Sequence, residues 1–161
     1  MQKYSPPTKA PDPAAGLRKN ILYVEDEDSN WDVTSLRLNK TYNLIRAATA
    51  KAACDLVSNR SLKLEVILMD IQLHGSELDG IQLTRLFRGA LPIAGMPSYV
   101  IGVPVIRTPI IFVTAYGARY TEEELIKAGG NMLVTKPVDF ATLTLGLAKL
   151  SSKAPGQQFI R

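Results

Sequence analysis

Five short apolar runs, separated by stretches of helical periodicity, constrain this 161-residue chain more than any other feature. The first, Ile21-Leu22-Tyr23-Val24, runs straight into Glu25-Asp26-Glu27-Asp28. The others span residues 42–47, 66–69, 109–113 and 132–135; the third stops at Asp70, the fourth at Thr114 and the fifth at Lys136-Pro137. Runs that are apolar at consecutive positions suit strands buried on both faces of a parallel sheet. Between them, Asp28 or Ser29 is placed to cap a helix carrying Trp31, Val33, Leu36 and Leu38. Residues 49–59 predict a second helix, with Ala52, Ala53, Leu56 and Val57 inward, and residues 79–88 a third. Thr121 and Glu124 stand in capping-box spacing at the head of a fourth, and residues 140–150 predict a fifth. Five strands alternating with five helices predict an α/β domain of three layers, helices on both faces of a parallel sheet. Right-handed crossovers leave few topologies open.

Composition excludes several other classes. With 46% hydrophobic residues the chain can fill a globular core. Its one cysteine, Cys54, forms no internal disulfide and reads as a small buried filler among alanines. No apolar run approaches the ~18–20 residues of a membrane span, and the N-terminal MQKYSPPTKAPDPAAG lacks the apolar centre of a signal peptide. The expected location is therefore the cytoplasm, with no membrane partner. The net charge of +4 would suit nucleic acid only if it were concentrated on a folded face. Residues 20–150 hold 13 basic and 14 acidic side chains, so the positive excess sits in the ends and no nucleic-acid partner is expected. Pro6, Pro7, Pro11 and Pro13 mark residues 1–19 as a disordered arm; residues 20–150 form the domain and 151–161 a flexible tail. Residues 89–108, GALPIAGMPSYVIGVPVIRT, interrupt the rhythm as an apolar insertion far longer than an ordinary connection.

Ligands of open parallel sheets bind outside the carboxyl ends of the strands. The residues that end strands one, three, four and five are Glu25-Asp26, Asp70, Thr114 and Lys136. Three carboxylates brought to one edge repel one another unless a cation neutralises them. Oxygen ligands without thiols suit Mg²⁺, which takes one or two carboxylates together with phosphate oxygens. Thr114 and Lys136 are then placed to hydrogen-bond and neutralise a phosphoryl group.

In these residues the chain resembles the receiver domains of two-component response regulators. The matching pieces are ILYVEDED, VILMDIQL, DGIQL, PIIFVTAYG and LVTKPVDF, spread over about residues 20–150. The spacing agrees: Asp26 to Asp70 is 44 residues and Thr114 to Lys136 is 22. The resemblance implies a flavodoxin-like, doubly wound five-stranded sheet of order 2-1-3-4-5. It implies that Asp70 is the phosphoacceptor, served by a sensor histidine kinase or phosphotransfer protein. Mg²⁺ would be held by Glu25, Asp26, Asp70 and the backbone carbonyl of Gln72, with Thr114 and Lys136 contacting the phosphoryl oxygens. The domain would catalyse its own phosphoryl transfer and autodephosphorylation rather than act as a conventional enzyme.

Several positions depart from the family pattern. Glu25 stands where Asp is commoner, and Leu133 where many receivers carry a switch aromatic. His74 lies in a lengthened loop after Asp70 and reads as a solvated residue. Gln72 and Tyr116 are placed to tune the lifetime of the phosphoryl group, Tyr116 by restricting the attacking water. The insertion is expected to fold back on the domain as an irregular lid or short extra strand; the sharper alternative is an interaction surface. That surface, or the last helices, could serve a homodimer; as a stand-alone regulator, with only SSKAPGQQFIR after Leu150, the chain is expected to act through an unidentified protein partner, and a fragment of a hybrid kinase or longer regulator is the other reading. Rival chemistries fail on particular residues. Gln72 replaces the second acid of a haloacid-dehalogenase phosphatase, no P-loop glycine pattern is present, and the acids after strand one would repel a flavin phosphate. The remaining alternative is a receiver-like scaffold that signals without phosphorylation.

Overall fold

The computed structural model describes residues 18–115 and 119–151. Most of the expected arm over residues 1–19, nearly all of the tail over 151–161, and Tyr116 lie outside those described residues. The elements in chain order are β1 (Asn20–Val24), α1 (Asp28–Leu38), β2 (Asn43–Ala47), α2 (Ala50–Ser58) and β3 (Leu64–Met69). They continue with α3 (Gly80–Phe87), β4 (Ile110–Thr114), α4 (Glu122–Ala128), β5 (Met132–Thr135) and α5 (Phe140–Ser151). The sheet is parallel throughout, in the order β2-β1-β3-β4-β5. This is the flavodoxin-like α/β fold that the resemblance implied.

Successive residues of a strand point to opposite faces, so an unbroken apolar run supplies two cores at once. Leu22, Val24, Ile67, Met69, Ile110 and Phe112 face one side, with Ala53 and Val57 of α2, Leu83 and Phe87 of α3, and Leu125 of α4. Ile21, Tyr23, Val66, Leu68, Ile111 and Val113 face the other, with Leu38 of α1 and Leu143, Leu147 and Leu150 of α5. Cys54 is buried in the first of these cores.

The first helix departs from expectation. Neither Asp28 nor Ser29 caps it; Glu27 is the capping residue and its side chain makes no capping bond. The reason lies upstream, because the Glu27 N–H donates to the Glu25 carboxylate at 3.0 Å and its carbonyl opens the helix by accepting from Trp31. Asp28 pairs instead with Arg46 at 2.7 Å. That entry sets the helix phase so that Trp31, Thr34 and Leu38 face the sheet, while Val33 and Leu36 are 55% and 74% exposed. The capping box at Thr121 and Glu124 is present as predicted, and a second joins Asp79 to Gln82 at the head of α3.

The insertion over residues 89–108 packs back on its own domain. It contains a 3-10 turn, Ser98–Val100, and no strand. Val100 is buried, and Leu91, Met96, Tyr99, Val103 and Ile106 lie half-buried against the core that α2 and α3 share. Ile101 and Val105 face outward, 71% and 67% exposed. The Arg88 guanidinium ties the end of the insertion down, donating to the carbonyls of Ile106, Thr108 and Gly129 and to Asn131 Oδ1.

Candidate functional site

A parallel sheet aligns the carboxyl ends of its strands, and here that alignment gathers the charged strand-end residues. Glu25 and Asp26 follow β1, Asp70 follows β3, and Lys136 follows β5. Glu25, Asp26 and Asp70 each offer a carboxylate oxygen within 4.8 Å of the others. Lys136 Nζ lies 2.7 Å from Glu25 Oε2 and 3.1 Å from Asp70 Oδ2. Thr114, fully buried, ends β4 on the same edge, and its carbonyl accepts from the Lys136 N–H at 3.0 Å. A cis peptide joins Lys136 to Pro137. The cleft above these groups has a volume of about 370 Å³ and is lined by Asp26, Asp70, Gln72, His74, Ala115 and Lys136.

Glu25 and Asp26 are held differently. Glu25 is fully buried and accepts three hydrogen bonds: from the Tyr23 hydroxyl at 2.9 Å, from the Glu27 N–H and from Lys136. Asp26 Oδ2 accepts from the His74 N–H at 2.8 Å and lies 3.2 Å from the His74 ring, whereas Asp26 Oδ1 is buried with no hydrogen-bond partner. A buried carboxylate oxygen without a donor is costly, and a cation is the partner that would repay it. The donor set, three carboxylates and no thiol or imidazole ligand, matches hard divalent cations such as Mg²⁺.

The electrostatics follow from burial. Burial pushes the Asp70 carboxyl up to about 6; the Lys136 ammonium opposes this push, and the Glu25 and Asp26 charges reinforce it. Burial alone would lower Lys136, but its bond to Glu25 and the Asp70 charge win and hold the ammonium above its usual range. The Tyr23 phenol is raised by burial and then by the Glu25 charge beside it. At neutral pH the arrangement therefore places an ionised Asp70 carboxylate next to the Lys136 ammonium.

The geometry brings together the predicted Glu25, Asp26, Asp70 and Lys136, seats Thr114 at the same edge, and lets Gln72 line the cleft. Three further residues shape the site without having been singled out for it. Tyr23 anchors Glu25. Arg46 donates from Nε to the Glu25 carbonyl and from Nη2 to the Asp26 carbonyl, each at 3.0 Å, so it clamps the turn that carries both acids. A charge between the apolar Leu44-Ile45 and Ala47 of strand β2 was its sequence signal. His74, read as solvated, does expose its ring, but its backbone N–H fixes Asp26. No side-chain pattern announces a backbone donor.

Comparisons with known proteins agree with this geometry. The family model of the response regulator receiver domain matches residues 21–148. Among curated proteins, the polar-differentiation response regulator DivK of Brucella ovis is 26% identical over 76% of this chain and 87% of its own length. The putative response regulator NtrX-like of Rickettsia conorii is 24% identical over 81% of this chain, which spans only 24% of that relative. Among solved structures, the receiver domain of sensor histidine kinase PA1611 from Pseudomonas aeruginosa, with a magnesium ion coordinated in its active site cleft, superposes with a TM-score of 0.66. It is 27% identical and covers 84% of this chain and 99% of its own. With the family pattern, the strand order and the acidic edge all in register, the chain belongs to the response regulator receiver domains of two-component systems.

Proposed function

We propose that this domain is a phosphoacceptor, phosphorylated on Asp70 in a Mg²⁺-dependent reaction by a sensor histidine kinase or phosphotransfer protein. The observation that carries this reading is the Asp70 carboxylate, lining the cleft 3.1 Å from the Lys136 ammonium, with two further acids within 4.8 Å. In the transfer, an Asp70 oxygen forms its bond to phosphorus as the bond from phosphorus to the donor breaks. The protein's contribution is position and charge. Lys136 neutralises one phosphoryl oxygen and Thr114 hydrogen-bonds another. Asp26, Asp70 and the Gln72 carbonyl, with Glu25 beside them, would hold Mg²⁺, which supplies further neutralisation of the phosphoryl charge.

Receiver domains act with histidine kinases and phosphotransfer proteins. For this chain we place the reaction in the cytoplasm; among the described residues no helix is long and apolar enough to cross a membrane. Output passes to a partner protein or a second copy, with the exposed Ile101 and Val105 of the insertion, or the last helices, as the contact. Leu133, half-buried against the α2–α3–α4 core, stands where many receivers carry a switch aromatic, and the proposed readout does not rely on one.

Incubation with Mg²⁺ and acetyl phosphate tests the reading. The intact mass should rise by one phosphoryl group in the native protein and stay unchanged in Asp70→Asn. A protein that gains no mass and whose Trp31 fluorescence ignores both Mg²⁺ and beryllofluoride would instead be a scaffold of receiver shape.

A further inference from the structure

The Glu25 carboxylate is satisfied from inside the protein. Its Oε2 is shared by the Tyr23 hydroxyl at 2.9 Å and Lys136 Nζ at 2.7 Å, and its Oε1 takes the Glu27 N–H at 3.0 Å. Tyr23 is itself fully buried; its ring lies 6.2 Å from that of Trp31, and the buried Thr34 neighbours its hydroxyl. The phenol is thus held in place in the middle of an apolar strand. It connects to Asp70 through Glu25 and Lys136 in an unbroken chain of hydrogen bonds.

This chain meets a difficulty when a phosphoryl group arrives. Lys136 must turn from the two carboxylates toward the phosphoryl oxygens, and stripping an ammonium from a buried carboxylate leaves an uncompensated charge. Donors that stay behind on Glu25 reduce that cost, because a buried anion with hydrogen bonds is far less unfavourable than a bare one. The Glu27 N–H is one such donor and the Tyr23 hydroxyl is the other.

We propose that Tyr23 is a positioning residue for phosphoryl transfer: its hydroxyl holds the Glu25 carboxylate so that Lys136 can leave it for the incoming phosphoryl group. The inference rests on the phosphoacceptor reading of Asp70. It explains why a tyrosine is buried two residues before Glu25. It also gives the longer acid a purpose, since an aspartate at position 25, one methylene shorter, would draw its carboxylate away from the phenol.

A double-mutant cycle over the native protein, Tyr23→Phe, Glu25→Asp and the pair of changes tests it. Tyr23→Phe keeps the ring and its packing, so only the hydroxyl is removed. Two quantities are read at saturating Mg²⁺: the rate of Asp70 phosphorylation by acetyl phosphate, and the affinity for beryllofluoride followed by Trp31 fluorescence. With Glu25 present, Tyr23→Phe should lower both by about tenfold. In the Glu25→Asp background the same change should alter them by less than about twofold. Equal losses in the two backgrounds would assign Tyr23 a packing role alone and overturn the proposal, as would no loss in either. A native protein that accepts neither phosphoryl nor beryllofluoride would overturn the phosphoacceptor reading itself, and this inference with it.

Discussion

At the scale of single residues, Asp70 is the group whose burial matters between about pH 4 and 7. Its carboxyl rises from 3.8 to about 6 on folding, chiefly through burial. A carboxyl raised in the folded state favours folding while it is protonated. That contribution is complete below pH ~4 and is lost as the pH climbs through ~6. Above that window, without metal, the ionised Asp70 weakens the fold. Asp70→Asn is therefore expected to raise metal-free stability at pH 7.5 by on the order of 2 kcal/mol and to change it little at pH ~4. Urea unfolding at the two pH values checks this, and a loss at pH 7.5 would mean that pairing with Lys136 outweighs burial. Lys136→Met acts in the opposite sense, stranding Glu25 and Asp70 without their shared ammonium. A loss of about 3 kcal/mol at pH 7.5 is expected, shrinking on acidification as the acids take up protons.

At the scale of elements, the head of α3 packs closely against the loop that follows β3. The Gly80 N–H donates to the Ile71 carbonyl at 2.8 Å, and a Cβ on Gly80 would overlap the Asp70 carbonyl. Gly80→Ala should therefore displace the backbone that carries Asp70 and cost about 2–3 kcal/mol, read by thermal unfolding together with weakened beryllofluoride binding. By contrast, Leu36→Lys on α1 should lie within about 0.5 kcal/mol of the native protein, since that side chain is 74% exposed. The contrast between the two helices shows what local sequence could and could not reveal. The apolar positions of α3 have one consistent phase. Those of α1 offer two, and the choice falls to the Glu25–Glu27 bond in the turn and to the Arg46 clamp, a contact across the fold that holds that turn in place.

At the scale of the whole molecule, the insertion and the turn between α4 and β5 are joined through one side chain. Arg88 reaches Ile106 and Thr108 on one side and Gly129 and Asn131 on the other. Arg88→Ala leaves several half-buried carbonyls without a donor, and a loss of about 2–4 kcal/mol is expected. Amide exchange should quicken over residues 89–108 and in the α4–β5 turn together; quickening in one alone would refute the coupling. Replacing residues 91–105 with a short turn would remove Val100 and its neighbours from the α2–α3 core. Loss of partner binding in such a variant has to be weighed against its stability. The better probe of a contact surface is Ile101→Ser with Val105→Ser, which changes only outward-facing side chains.

The layered α/β architecture and most of the acidic edge were legible in the chain because they depend on local order. An unbroken apolar run can be buried only between two layers, and a parallel sheet places every strand end on one side, so Glu25, Asp26, Asp70, Thr114 and Lys136 could be assembled from strand termini alone. That the insertion folds back on the domain was legible, but which of its side chains turn inward was not, because apolar residues among glycines and prolines have no period to fix a face. Nor could the chain show which oxygen of each acid is already taken. Tyr23 reaching Glu25, Arg46 gripping two carbonyls and the His74 amide holding Asp26 all join residues distant in sequence or opposed in character. Such bonds arise only once packing has excluded water and each buried polar group must take the nearest partner, a choice that belongs to the tertiary structure.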